Sequence, residues 1–201
     1  MYQPLKAETD DWKTGDLILF SCNDFVSKGI KFTISSKYSH VGIVIKGGDN
    51  NLYILECDMT GSYDYLSGKD YKPGSHLLDL KTKIEEYDGT KFGFRKLRNK
   101  TNTISRTKLN KILKKSLLIG FQDNWLTWMI AHFKNKYLGN ILNDPDFMFC
   151  TQYVAYVYQK LGILSSKNPN YLYTPKDFEI TNLNFDNGFY LDPIVNFKIN
   201  I

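Results

Sequence analysis

The sequence of 201 residues predicts a single domain of the α+β class. Short apolar runs bounded by turn residues, which are typical of strands, are concentrated in the first half of the chain. Apolar residues at helical spacing follow in the second half, and lysines occupy the opposite face of one such segment. Strands followed by helices favour an antiparallel sheet that packs against helices.

Four strands and one short helix are predicted before residue 100. The helix at 23–35 has Asn23 or Asp24 as its candidate N-cap. Segment 46–51, rich in glycine and asparagine, has the length and chemistry of a hairpin loop, so the two strands that flank it are expected to pair antiparallel. The four strands are expected at 17–20, 40–45, 52–56 and 91–97.

The second half of the chain is predicted to be mainly helical. Val154, Val157 and Leu161 share one face of its best-defined helix, and Gly162 stands where a C′ glycine belongs. Helices are expected at 105–121, 125–133 and 150–161, with a helix start at 174–177 and one or two closing strands within 185–199.

Two of these helices have two interpretations each. The lysine face at 105–121 is either the solvated side of a core-facing helix or a basic surface for a membrane. The apolar residues of the next helix either pack in the core or wall an apolar substrate groove, and they are Trp125, Trp128, Met129 and Phe133.

Composition and charge narrow the class of protein. A hydrophobic content of 42% is too high for a disordered chain. Three cysteines without paired spacing favour a reducing compartment, such as the cytoplasm, over a disulfide framework. We expect no secretory signal, transmembrane anchor, nucleic-acid partner or zinc site, because none of their signatures is present. The net charge of +5 favours contact with anionic surfaces such as phospholipid headgroups.

Three residues have the chemistry of a thiol active site. Cys150 begins a predicted helix, where unpaired backbone N–H groups stabilise a thiolate, and a neighbouring imidazolium would stabilise it further. His40 opens a strand, so its imidazole can project from a rigid strand end. Glu56 ends the paired strand, where its carboxylate could hold the second ring nitrogen of the histidine.

Each of these residues also has a purely structural interpretation, as a buried thiol, a hydrogen-bonding imidazole or a solvated carboxylate. The other histidines and cysteines are weaker candidates. We expect His76 at the surface, His132 half-buried, and Cys22 and Cys57 in structural roles.

The order of four motifs resembles a known superfamily. The motifs are Gly15-Asp-Leu-Ile-Leu-Phe20, Tyr38-Ser-His-Val-Gly-Ile-Val-Ile45, Tyr53-Ile-Leu-Glu56 and, much later, Phe149-Cys-Thr-Gln-Tyr-Val-Ala155. This order is similar to the circularly permuted branch of the NlpC/P60 papain-like superfamily, which includes YiiX/YaeF-like bacterial proteins, poxviral relatives and lecithin-retinol acyltransferase-like enzymes. In unpermuted members the cysteine helix precedes the histidine strand, whereas here it follows.

The resemblance implies one permuted papain-like domain over residues 1–201. Its core would cover about 15–161, and its substrate-selecting helical insertion would be 101–143, where no family motif is matched. A closing segment would follow at 174–201, because 174–177 resembles a further element of the family.

The resemblance also implies the roles of the site residues. Cys150 would be the nucleophile, His40 the base and Glu56 the residue that orients the base. The Cys150 backbone N–H is the natural first donor of an oxyanion hole. The candidates for the second donor are Tyr38, Ser39 and Gln152.

The expected activity is that of a cysteine-dependent hydrolase or acyltransferase, which cleaves an amide or ester bond in a lipid or a peptide through an acyl-enzyme. Such an enzyme requires no cofactor or metal. The alternative is a catalytically inactive binding or structural protein on the same fold, associated with a membrane or, for a viral protein, with the virion.

Overall fold

The computed structural model describes residues 11–59, 63–64, 68–70, 72–87, 89, 91–100, 103–117, 119–180 and 183–198. These residues form a mixed α+β fold with one large curled sheet. Its strands and those of two small sheets are β1 (Leu17–Ser21), β2 (His40–Lys46), β3 (Leu52–Asp58), β4 (Tyr63–Asp64), β5 (Lys69–Asp70), β6 (Gly74–Asp79), β7 (Lys91–Arg95), β8 (Leu97–Asn99), β9 (Gly120–Phe121), β10 (Phe147–Met148), β11 (Phe189–Leu191) and β12 (Val195–Lys198).

The large sheet has the strand order β10-β9-β6-β3-β2-β1-β7-β12. Its pairs are antiparallel except for β9 and β10, which run parallel. The predicted strands at 17–20, 40–45 and 52–56 are confirmed, as is the hairpin between the last two. β2 and β3 therefore lie at the centre of the sheet, and they bring the two ends that carry His40 and Glu56 side by side.

Two differences from the predicted strands follow from contacts with distant parts of the chain. The run predicted at 91–97 is divided at Lys96, because β7 pairs with β1 and β12 whereas β8 pairs with β11. β6 was not predicted, since only its two leucines give it an apolar pattern, yet it pairs with β3 over six positions.

Seven α-helices flank the sheet in the described ranges. They are α1 (Phe25–Thr33), α2 (Leu80–Glu85), α3 (Arg106–Ser116), α4 (Trp125–His132), α5 (Lys136–Leu142), α6 (Cys150–Leu161) and α7 (Pro175–Glu179). Asp24 caps α1, and Gly162 ends α6 in the left-handed conformation with φ of 78°, as predicted for each. α2 and α5 were not predicted. None of the helices in these ranges is long and apolar enough to cross a bilayer.

The hydrophobic core lies on both faces of the sheet. On one face, α6 packs through Val154 and Val157 against Leu19 and Ile43 in a cluster that also includes Leu109 of α3. α3 turns its apolar face to the core and exposes its lysines, as expected of a core-facing helix. The opposite face buries a second cluster of Trp12, Ile18, Phe20, Val44, Ile54, Phe92 and Phe94. Because both faces are covered, β1 is buried along its whole length.

A buried arginine fastens the C-terminal segment to the sheet. Arg95, at the end of β7, donates to the backbone carbonyls of Asp192, Phe178 and Ile180 at 2.8 Å each and to that of Leu191 at 3.2 Å. Its side chain is fully buried, so water cannot replace these four bonds.

We expect Arg95→Met to lower the free energy of unfolding by about 3 kcal/mol or more, because each buried carbonyl left without a donor costs about 1–3 kcal/mol. Urea unfolding measured by circular dichroism tests this. Lys96→Met is the matched control, since the ion pair of Lys96 within the described residues is a surface one with Asp11, and we expect this change to cost no more than about 1 kcal/mol. Equal losses in the two variants would contradict this role for Arg95.

Candidate active site

Cys150 is the first residue of α6, and its thiol lies at an uncapped helix terminus. Phe149 occupies the N-cap position in an extended conformation, and no side chain caps the helix. The first N–H groups of a helix have no intrahelical partner, so their partial positive charge surrounds the start of α6. Cys150 is buried, and part of its surface faces a cavity. The helix start therefore offers a thiol and hydrogen-bond donors at one place.

The imidazole of His40 lies between Cys150 and Glu56. Its Nε2 is 2.7 Å from Oε2 of Glu56, and its side chain also makes a hydrogen bond with that of Cys150. His40 begins β2, which packs against α6, so the sheet holds the ring beside the helix start. The structure thus brings together the three residues that the sequence suggested for a thiol site.

Glu56 is a fully buried carboxylate whose two oxygens have different partners. Oε2 contacts His40, while Oε1 lies 3.1 Å from Nε2 of His76 and 2.6 Å from Nζ of Lys83. Lys83 also contacts Oδ2 of Asp58 at 2.8 Å. A buried charge is tolerated only when it is paired, and here several groups share that task.

The electrostatics of the site favour charged forms of both His40 and Glu56. Burial by itself would raise the pKa of Glu56, but the charges of Lys83 and His40 and the hydrogen bonds outweigh it and hold the pKa well below its usual 4.5. Burial would likewise lower the pKa of His40, but Glu56 and Cys150 outweigh it and raise the pKa well above 6.5. His40 therefore stays positively charged at neutral pH, where it can stabilise a thiolate.

An apolar cavity of about 240 Å³ opens beside Cys150. It lies between α1 and α4, and the starts of α6 and α7 complete its wall. Trp128 and Met129 line it, as the interpretation of that helix as a groove wall requires, whereas Phe133 is 67% exposed. The Trp125 side chain lies outside the described part of the structure. The space next to the thiol therefore suits an apolar group.

The three candidates for a second oxyanion donor have different surroundings. The Tyr38 hydroxyl donates to Oδ1 of Asn196, and burial raises the pKa of Tyr38 to about 12. The Gln152 amide donates to Oδ1 of Asn143 at 2.7 Å. Ser39 lines the cavity together with Cys150; its hydroxyl donates to the carbonyl of Phe20 at 3.4 Å and accepts from the N–H of Cys22 at 3.3 Å. Ser39 is thus the candidate that lies nearest to the space in front of the thiol.

The prediction that His76 lies at the surface is wrong. His76 is fully buried, because β6 pairs with β3 and sets His76 directly opposite Glu56. Lys83 and Asp58 were not singled out from the sequence at all. The sequence signal that could have revealed Lys83 is Asp79. Its side chain accepts from the N–H of Thr82 and so marks the N-cap of the helix that carries Lys83.

The remaining cysteines have ordinary surroundings. The thiol of Cys57 is buried and donates to the carbonyl of Met148 at 3.0 Å, and burial raises the pKa of Cys57. Cys22 is half-buried, and none of the three cysteines forms a disulfide. Both findings agree with structural roles for Cys22 and Cys57.

One group in the described residues has donor atoms close enough to share a metal ion. One ligand atom each from His40, Glu56 and Asp58 lies within 4.8 Å of the others. The ammonium of Lys83, however, already ion-pairs with both carboxylates of this group. A lysine within ion-pair distance of two ligands repels a divalent cation, so the residues present do not fit a metal centre.

Comparisons with known proteins find similarity to a viral protein and, among solved structures, to a bacterial protein. No protein-family model matches the chain. An uncharacterized protein of Acanthamoeba polyphaga mimivirus is 26% identical over 195 residues, which cover 86% of this chain and 76% of that protein. The crystal structure of the metalloprotein YiiX from Escherichia coli has a TM-score of 0.47 and 19% identity, over 92% of this chain and 95% of that one. Neither similarity assigns the chain to a family.

The pKa of Glu56 makes stability depend on pH in a defined direction. Because the pKa is depressed in the folded state, the ionised carboxylate contributes stability fully above the ordinary value of 4.5 and loses it as the pH falls through the folded-state pKa. The raised pKa of His40 acts in the opposite sense. The charged imidazole contributes its full stabilisation below pH 6.5. This stabilisation is lost as the pH rises through the folded-state pKa of His40.

We expect Glu56→Gln to lower the free energy of unfolding by about 3 kcal/mol or more at neutral pH, because it breaks a buried charge network. Urea unfolding of both proteins between neutral and acidic pH should show this difference shrink below pH 4.5. Glu85→Gln is the control, since Glu85 pairs only with exposed Lys81. A difference that does not change with pH would refute the depressed pKa of Glu56.

Proposed function

We propose that this protein is a cysteine-dependent hydrolase or acyltransferase that cleaves an amide or ester bond through an acyl-enzyme. The observation that carries the proposal is the position of the His40 imidazole, which bonds to Cys150 on one side and to the Glu56 carboxylate on the other. A nucleophile, a base and a group that orients the base within hydrogen-bond reach are the signature of covalent catalysis by cysteine.

The fold proposed for this activity is a circularly permuted papain-like domain with its core at about 15–161. In support, the strand that carries His40 precedes the helix that carries Cys150 in the chain, and the two pack together. The proposed insertion at 101–143 contributes α4 to the cavity wall, which suits a role in substrate selection. The closing segment at 174–201 contributes β12, which extends the large sheet next to β7.

The first half of the proposed reaction forms the acyl-enzyme. The thiolate of Cys150 attacks the carbonyl carbon, and the new C–S bond places the negative charge on the carbonyl oxygen. Collapse of this tetrahedral intermediate breaks the C–N or C–O bond, and the leaving amine or alcohol takes a proton from the imidazolium of His40. His40 is held charged for this step by the adjacent Glu56.

The second half releases the acyl group. Neutral His40 takes a proton from water, or from an acceptor alcohol or amine, which attacks the thioester carbon. The C–S bond then breaks and the thiolate of Cys150 returns. We assign the backbone N–H of Cys150 as one oxyanion donor and the Ser39 hydroxyl as the second, because Ser39 shares the cavity wall with the thiol.

The cavity favours a lipid acyl group over a peptide. Its lining is almost wholly apolar, so a buried peptide backbone would leave polar groups without partners there. The helices that form it also expose large apolar side chains, with Phe25 and Phe32 of α1 91% and 87% exposed. Such side chains beside the net charge of +5 suit peripheral contact with an anionic membrane.

The same exposed side chains are the observation that favours the alternative function. In that case the protein would be a catalytically inactive binding or structural component, attached to a membrane or a virion through α1. Under either function, three cysteines without a disulfide suit a reducing compartment.

The proposal predicts a covalent adduct on one cysteine. The protein, incubated with the lauroyl ester of 4-nitrophenol, should gain an acyl group on Cys150 that peptide mass spectrometry locates. Cys150→Ala should abolish the adduct, and His40→Ala should slow its formation about 100-fold or more, because proton transfer by a positioned base contributes that much. Cys22→Ser is the control and should react like the wild type.

No adduct in the wild type, or an equal adduct in Cys150→Ala, would favour the binding-protein alternative. Unfolding curves of each variant show whether the fold is retained.

The preference for an apolar acyl group predicts a second result. Thr33 lines the cavity from α1, so Thr33→Trp should narrow it. We expect acylation by the lauroyl ester to slow about tenfold or more, while acylation by the acetyl ester stays within about twofold, since only the long chain needs the cavity. Phe32→Trp is the control, because Phe32 of the same helix is 87% exposed and does not line the cavity. Equal losses with both esters would contradict an acyl-chain site.

A further inference from the structure

The carboxylate of Glu56 has its two oxygens committed to different tasks. Within the described residues, Oε2 contacts His40. Oε1 instead contacts Nζ of Lys83 at 2.6 Å and Nε2 of His76 at 3.1 Å. A carboxylate held at one oxygen cannot rotate about its terminal bond. The other oxygen therefore keeps a fixed direction towards the imidazole.

We propose that Lys83 is a positioning residue of the thiol site, which holds the second oxygen of Glu56 so that the carboxylate stays ionised and aimed at His40. This inference rests on the proposed function. Lys83 does not line the cavity, and it acts on His40 through the carboxylates that it pairs with, Glu56 first and Asp58 second.

The charges around Glu56 show why a permanent cation is needed. Glu56 and Asp58 are two carboxylates of the same strand, and the ammonium of Lys83 bridges them at 2.6 and 2.8 Å. Two buried carboxylates without a cation do not both stay ionised, because like charges at short range raise the pKa of one of them. Without Lys83, Glu56 would take up a proton at a pH at which it is now charged.

His76 cannot supply this charge in its neutral form. Its Nδ1 lies 2.9 Å from the carbonyl oxygen of Gly74, and its Nε2 faces Glu56. A neutral imidazole carries one N–H, so neutral His76 donates to one of these two oxygens at a time and brings no positive charge to either. Lys83 is the group that brings a positive charge to Oε1 without first taking up a proton.

The titratable groups that affect the charge of Glu56 come from several of the elements around it. His40 comes from β2, His76 from β6, Lys83 from α2 and Asp58 from the same strand as Glu56. Cys150 of α6 lies behind His40.

The cap and the buried residues of α2 hold Lys83 in this position. Asp79 caps α2 by accepting from the N–H of Thr82 at 2.8 Å, and Leu80 and Ile84 bury one side of the helix against the sheet. Lys83 lies between these anchors, and its side chain is only 13% exposed. A lysine that merely solvated the surface would not be fixed in this way.

The test compares Lys83→Met with Lys83→Arg, which keeps the charge, and with Lys81→Met, which removes an exposed lysine of the same helix. The first readout is the carbon-13 NMR titration of the Glu56 carboxyl, assigned with Glu56→Gln. The second is the pH dependence of iodoacetamide alkylation at Cys150. Circular dichroism and urea unfolding check the fold of each variant.

We expect Lys83→Met to move the titration of Glu56 and the acidic limb of the alkylation profile to higher pH, by about one to three units. If the acidic limb moves up by one pH unit, the alkylation rate at a fixed pH on that limb falls tenfold. Lys83→Arg should restore both readouts, and Lys81→Met should change neither. In the Glu56→Gln background, Lys83→Met should cause a much smaller shift of the limb, because Asp58 is then the carboxylate partner of Lys83 that remains.

A Lys83→Met protein that is less stable but titrates and alkylates as the wild type does would reduce Lys83 to a structural role. If that variant does not fold, the NMR titration of the wild type still tests the proposal, since Glu56 must remain ionised below pH 4.5, the ordinary pKa of a glutamate. Titration of Glu56 at or above pH 4.5 would overturn the proposal.

Failure of the proposed function is seen separately. In that case wild-type Cys150 would alkylate no faster than Cys22, while the NMR titration would still report on Lys83.

Discussion

The charge of one buried carboxylate supports the whole candidate site. Glu56 is at the centre of the sheet, out of reach of solvent, and it is ionised there because Lys83 and His40 pair with it. The ionised carboxylate keeps His40 protonated, and the protonated imidazole is what can hold a thiolate at Cys150. If Glu56 were neutral, His40 would lose its charge and its orientation together.

The fold provides this pairing at little conformational cost, because each group is mounted on a rigid element. His40 and Glu56 are carried by adjacent strands of one hairpin, and Cys150 opens the helix that packs on those strands. Side chains on regular elements whose neighbours are closely packed lose few alternative rotamers when the site forms. The geometry therefore exists without a bound ligand, as the proposed covalent catalysis requires.

Polar and apolar parts of the site are separated on two sides of Cys150. The charged part consists of His40, Glu56 and Lys83. The apolar part is the cavity of about 240 Å³ between α1 and α4. An apolar space next to an ion pair lowers the local dielectric, which strengthens the interaction of the thiolate with the imidazolium. In the proposed reaction, the same separation would place the apolar part of a substrate away from the charges that act on its carbonyl group.

The sequence by itself determined the α+β class, the hairpin β2–β3, the helix α6 with its terminal Gly162, and the three residues Cys150, His40 and Glu56. The strands, the helix and its cap follow from local patterns such as apolar runs and turn residues, whose physics acts within a few residues of the chain, whereas the roles of the three residues came from the resemblance to a known superfamily. Tertiary structure alone decided that β6 pairs with β3, that His76 is buried, and that Lys83 reaches Glu56. The short apolar stretch of β6 specifies no partner, and a lysine is usually solvated. Only the assembled sheet, which buries a carboxylate and must neutralise it, gives these residues their positions and their roles.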